Sequence, residues 1–268
     1  MQDDIDDELY DDDFDDDLRC SGWDFDENDE DACSVVDDTE PPAPVVLAPT
    51  KKLPGKGILV RTYNRLGGIM EQLGAENDID VAAILAFWRV ECGPFVHVPG
   101  QAIIRFENHR LFKLWGKAHP AEFKAHYRFA AKKQWLEHQF RVEAEGPFVP
   151  SHVKQTVEYA ALAKATELAG EDIALRCISI GGPQILLSNH LICGYQTPKE
   201  MYDAFQGTED THVRGFLEFC KSKNIVDAMR DEDWEAAAKV YNGMGQWKIY
   251  GAKIRAAYAE AKKLLASL

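Results

Sequence analysis

No part of this 268-residue chain is apolar enough to be a membrane span. The longest uninterrupted apolar run, Val81–Trp88, has eight residues, against the roughly 20 that a bilayer helix needs. The first residues carry Asp and Glu where an export leader has a basic patch and an apolar stretch, so no export signal is recognised. Cysteine is sparse and scattered. Cys20, Cys33, Cys92, Cys177, Cys193 and Cys220 form no CxxC pair and no Cys/His set at zinc spacing, which reads as reduced thiols in a cytosolically made protein. The eight histidines do not cluster at ligand spacing either. His119 and His126 have nothing nearby to complete a site, and His190 with Cys193 is an isolated pair, so no metal and no cofactor is expected. A dense Lys/Arg stripe is also missing, which excludes nucleic acid as a partner.

What is present is divided unevenly. The net charge of −15 is concentrated in residues 1–40, which hold 20 of the 45 acids and Arg19 as their one base. The other 228 residues carry 25 acids and 29 bases, a net +4, so a mildly basic body follows an acidic tail. Blocks of like charge repel and do not collapse. Tyr10, Phe14, Trp23 and Phe25 punctuate this tail, a pattern suited to docking on a basic partner. Asp24–Asn28 starts like a calcium loop, but Asp29 stands where the turn glycine is needed, so that reading is discarded. A proline-rich linker is expected over 41–56, with the folded body beginning near Gly57 and running to 268.

The body reads as predominantly α, one catalytic-type domain with a small β element near 101–106. At 46% hydrophobic and 10% aromatic it can bury a core. Asp78 or Asp80 caps a helix whose inner face is Val81, Ile84, Leu85 and Trp88, ended by Gly93-Pro94. Further ladders are Val213, Phe216, Leu217, Cys220 and then Trp234, Ala237, Ala238, Tyr241, stopped near Asn224 and at Gly243. The amphipathic segment 249–265 reads as a closing core helix. Trp115, Trp135 and Phe140 are expected to pack the stretch after Glu107.

Glu91 is the first residue that points to chemistry. It follows Trp88 by three and Ile84 by seven, which puts it on the helix's inward face. In the last turn the macrodipole disfavours a carboxylate, and burial against Phe87, Trp88 and Phe95 acts the same way. Both raise its pKa, as a carboxylic general acid requires. The plainer reading is a half-buried Glu paired with Arg89 or another base. Gly181-Gly182-Pro183-Gln184 makes a tight turn that presents an amide. A helix ending Tyr241-Asn242-Gly243 is the third candidate.

Those elements in that order, a Glu at a helix end, then G-x-x-Q-I, then A-x-x-Y-N-G, resemble the lysozyme-like superfamily that cuts peptidoglycan. With Arg105-Phe-Glu-Asn-His109 in the gap, the chain is similar to the phage N-acetylmuramidase family found in endolysins and other lysins. The similarity runs from RTYNRLGGIMEQLG (61–74) through AILAFWRVECG (83–93) to the segment 213–245. It implies an α+β lysozyme-like fold, Glu91 and Glu107 as catalytic residues, and Gln184, Tyr241 and Asn242 lining the sugar cleft. Glu107 would then face the linkage across the cleft, and Tyr241 would offer a platform for a sugar face. The implied reaction is cleavage of the MurNAc-β-1,4-GlcNAc bond by acid catalysis. A lytic transglycosylase, or a lysozyme-fold structural tail component without turnover, are the alternatives. The implied setting is the phage virion, with tail or baseplate proteins as partners of the acidic tail, or a free endolysin in the host cytoplasm before it reaches the wall. Two positions depart from the family pattern: Cys92 replaces Ser, and Ile180 replaces a Trp expected to give an aromatic surface near the cleft.

Overall fold

The computed structural model describes residues 47–93 and 97–268. The acidic segment 1–40 with its four aromatics, and Phe95, lie outside the described residues.

Residues 47–56 do not form the free linker expected of them. Leu53 is buried, and its backbone N–H and carbonyl are both bonded by the Asn64 side chain, at 2.7 and 2.9 Å. The Thr50 N–H and hydroxyl donate to Glu71. Asn64 and Glu71 belong to helix α1 (Ile58–Asn77). This docking depends on Gly67 and Gly68: a Cβ on Gly68 would stand 2.1 Å from the Leu47 carbonyl oxygen, and one on Gly67 2.8 Å from Pro49. The folded body therefore starts by residue 47, ten residues earlier than the expected start at Gly57.

Helix α2 (Val81–Cys92) is capped by Asp80, whose Oδ1 accepts the Ala82 N–H at 2.8 Å. Every residue from Ala82 to Trp88 is at most 1% exposed. A helix apolar all round belongs inside a domain, and α2 is that central element. Its eight-residue apolar run is a core helix, as its length requires.

Strand β1 (Ile104–Phe106) leads into a short α3 (Asn108–Leu111), a single π turn over Phe112–Gly116 and α4 (Pro120–His126). A small antiparallel sheet follows, from β2 (Tyr127–Arg128), β3 (Gln139–Phe140) and β4 (Val149–Pro150). Strands of two residues show no period, so this sheet is invisible to pattern reading. Trp115 and Phe140 are buried here as expected, but Trp135 is 39% exposed, because it sits in a turn between strands rather than against the core.

Helices α5 (Gln155–Ala169) and α6 (Glu171–Leu175) return the chain to β5 (Ile178–Ile180) and β6 (Ile185–Leu186). These complete a second sheet in the order β1-β5-β6, antiparallel, with Ile104 opposite Ile180 and Phe106 opposite Ile178. The remainder is helical: α7 (Pro198–Gly207), α8 (Glu209–Ser222), α9 (Ile225–Arg230), α10 (Trp234–Asn242) and α11 (Trp247–Leu265). Both apolar ladders read from sequence are buried, on α8 and α10. α11 buries Gly251, Ile254, Tyr258 and Ala261 and closes over α2 and α10. The result is a mostly helical fold with two small sheets.

Candidate active site

Glu91 lies in the last turn of α2, followed by Cys92 and by Gly93 at φ +60°. Its Oε1 accepts a hydrogen bond from Asn242 Nδ2 at 2.9 Å. Its Oε2 is buried and has no hydrogen-bond partner. Burial pushes the Glu91 carboxyl up to about 8, against the opposing pull of the Asn242 hydrogen bond and of the positive charge on Lys253. As for the plainer reading, a half-buried Glu paired with Arg89 or another base, the charges acting on Arg89 are those of Glu260 and Arg61, and the base whose charge acts on Glu91 is Lys253.

Asn242 is the last residue of α10, and the helix places it by burying Trp234, Ala237, Ala238 and Tyr241 on one face. Tyr241 is therefore not a sugar platform. It is 1% exposed, with Phe87, Phe216 and Phe219 packed around its ring. Its hydroxyl donates to the Pro183 carbonyl at 3.2 Å. That bond ties α10 to the 181–184 turn between β5 and β6.

Gln184 has its amide turned inward rather than presented. Nε2 donates to the Gly181 carbonyl at 2.7 Å, and Oε1 accepts from Ser179 Oγ at 3.0 Å. The residue has φ +49°, a left-handed conformation that this bracing compensates. Gly181, at φ +74°, has no room for a side chain: a Cβ would stand 3.0 Å from both His212 and Phe205. Ile180 is fully buried opposite Ile104, so the residue at that position offers no cleft surface, and the expected loss of an aromatic wall does not arise. Cys92 is buried beside Glu91.

Glu107 is held by other partners. Its backbone N–H donates to the Cys177 carbonyl, at the end of the β1–β5 pair away from the 181–184 turn. The side chain is oriented by Arg105, whose Nε is 3.1 Å from Oε1. Oε2 faces His109 Nδ1 at 3.5 Å and His138 Nδ1 at 3.6 Å. Burial and the surrounding positive charges push His109 down to about 3, and burial with Arg105 does the same to His152, whose ring is 4.6 Å from that of His138. Glu158, fully buried on α5, accepts the Phe106 N–H at 2.7 Å and is raised by burial to about 8. The structure thus gathers Glu91, Asn242, Tyr241 and the Gln184 turn, and gives Glu107 to a histidine cluster.

That cluster corrects the expectation that the histidines do not assemble. His138 lies 31 residues beyond Glu107 and arrives through the unpatterned β2–β4 sheet. The one signal in the sequence is the alternation Glu107-x-His109.

The family model described as N-acetylmuramidase matches residues 80–262. No curated protein matches the chain. Among solved structures, the fold is similar to one titled "Crystal structure of Burkholderia AP3 phage endolysin", with a TM-score of 0.56 and 22% identity over 73% of this chain and 69% of that one. Among the described residues no helix is long and apolar enough to cross a membrane.

Proposed function

The chain belongs to the N-acetylmuramidase family, a glycoside hydrolase family, and on that premise we propose that it cleaves the MurNAc-β-1,4-GlcNAc bond of peptidoglycan with Glu91 as the general acid. The observation that carries this reading is the state of one carboxyl group. Oε1 is fixed by Asn242, and Oε2 is buried, unpartnered and, with the pKa raised to about 8, protonated at neutral pH. An acid so poised donates from Oε2 to the leaving glycosidic oxygen. The carboxylate it leaves behind is stabilised by the Asn242 N–H and by Lys253.

Tyr241, Pro183 and Gln184 serve as positioning residues. They lock α10 to the 181–184 turn, so that Asn242 meets Glu91 in one orientation.

With Glu107 engaged by Arg105 and the histidines, the second half of the reaction falls to Glu91 as base, acting on water. The same observation supports a second reading, a lytic transglycosylase, in which the C6 hydroxyl of the sugar replaces water. Mass spectrometry of digested sacculi tests both. Hydrolysis leaves a reducing MurNAc end, whereas 1,6-anhydro ends, lighter by one water, indicate the transglycosylase. Reducing GlcNAc ends would contradict the assigned bond.

The acidic, aromatic-punctuated segment 1–40 is suited to docking on a basic groove of a phage tail or baseplate protein rather than on an anionic wall. We assign catalysis to residues 47–268 and placement to the acidic segment. Loss of co-purification with phage particles on deleting 1–46, with hydrolysis intact, is the expected result. Unchanged incorporation would contradict the virion role and leave the free endolysin.

A further inference from the structure

We propose that Glu107 Oε2, His109 Nδ1 and His138 Nδ1 bind one divalent transition-metal ion of the zinc type, which clamps the β2–β4 sheet to β1. The three donor atoms lie within 4.8 Å of one another. Oε2 is 3.5 and 3.6 Å from the two nitrogens. Both distances exceed a good N–H···O hydrogen bond, and both Nδ1 atoms are buried with no hydrogen-bond partner. They are close to the edge of a tetrahedron with metal bonds near 2.0–2.1 Å, which is about 3.4 Å.

The tautomer of His138 sharpens the point. Its Nε2 is 2.7 Å from the Gln134 carbonyl oxygen, an acceptor, so Nε2 carries a proton, and in the neutral ring Nδ1 presents a lone pair. The His138 side chain is 0% exposed, and its Nδ1 faces the Glu107 carboxylate oxygen. A neutral imidazole and a carboxylate facing each other bring two acceptors to one point, which a proton or a metal ion can fill, and 3.6 Å is long for an N–H···O bond and close to the spacing of two ligands on one metal. A carbonyl holding the outer N–H of an imidazole is also the arrangement that orients a metal-binding histidine.

The surroundings select the ion. Arg105 occupies Oε1, turns Oε2 toward the imidazoles and offsets the carboxylate's charge. A site of two imidazoles and one partly neutralised carboxylate disfavours calcium and magnesium, which want several oxygens, and favours a borderline ion that bonds nitrogen. Glu107 and His109 retain 14 and 12% exposure, so water can complete the coordination.

The ligands join segments that Asn108 and the stacked Phe106–Tyr127 ring pair also connect. Glu107 and His109 flank Asn108, whose amide donates to the Arg128 and Gln139 carbonyls of β2 and β3. His138 directly precedes β3. A metal here fixes the small sheet against the end of β1, and because the unfolded chain lacks the site, binding adds to folding stability. None of this depends on the role of Glu91.

The test uses untagged full-length protein, stripped with EDTA and exchanged into metal-free buffer. Zinc titration by calorimetry should give one site per chain, with the melting temperature raised by several degrees at saturation. Cobalt should give the intense d–d bands of a low-coordinate nitrogen site. His138→Gln and His109→Ala should each weaken zinc binding at least tenfold, while His119→Ala, which alters an exposed pair with Glu122, and Glu91→Gln should bind as wild type does. Binding below a tenth of an equivalent, or equal affinity in both ligand variants, overturns the proposal. If neither histidine variant folds, the wild-type cobalt spectrum decides, and the weak bands of the hydrated six-coordinate ion overturn it.

Discussion

Asn242 Nδ2 donates to Glu91 Oε1 at 2.9 Å across 151 residues of sequence, and this bond joins the end of α10 to the end of α2. It holds one carboxyl oxygen and leaves the other free. It also favours the ionised form, against the burial that favours the neutral one.

Asn242→Ala should therefore do two things. Turnover should fall about 10- to 100-fold, as loss of a hydrogen bond to a charged group worth roughly 1.5–3 kcal/mol implies. The alkaline limb of the kcat profile, set near pH 8 by Glu91, should move to higher pH, because the group that lowers that pKa is gone. A pH series on purified peptidoglycan measures both. An unmoved limb would mean that Asn242 does not act on the acid.

The same carboxyl group makes stability fall with pH. Its pKa rises from an ordinary 4.5 to about 8 on folding. Between those values the folded protein holds a proton that the unfolded chain has released, so stability declines as pH rises through that window and levels off above it. Glu158, also raised to about 8, acts in the same sense. The melting temperature of Glu91→Gln should fall less steeply from pH 5 to 8 than that of the wild type. Parallel curves would show that Glu91 is not protonated in the folded state.

The start of the folded body can be located by truncation. Removing residues 1–46 should leave the melting temperature and hydrolysis of the remaining chain unchanged. Removing 1–56 should lower stability by about 3–5 kcal/mol, since it strips a buried Leu53 and the hydrogen bonds of residues 50 and 53 to Glu71 and Asn64. Denaturant melts of the two truncations compare them directly, and equal stability would contradict the docking of 47–56 on α1.

Local signals in the sequence were sufficient where a residue's environment is set by its own helix. Asp80 caps α2, the ladder ending at Tyr241 is the buried face of α10, and Glu91 lies on the inward side of α2 at its last turn. Direction and partner were not legible where they depend on segments far apart. Tyr241 and Gln184 lie near Glu91 and Asn242 but point into the body, because their polar atoms are taken by Pro183, Gly181 and Ser179. His138 meets Glu107 only because three two-residue strands fold back between them. Proline content also misled at 47–56, where the deciding feature was a glycine pair on the facing helix.

The central claim is that the proton for bond cleavage comes from Glu91, and the turnover of Glu91→Gln on purified peptidoglycan tests it most directly. The substitution keeps shape and the contact with Asn242 but removes the acidic proton. The account predicts a folded variant with turnover lowered by about three orders of magnitude or more. Retention of more than a tenth of wild-type turnover would contradict it.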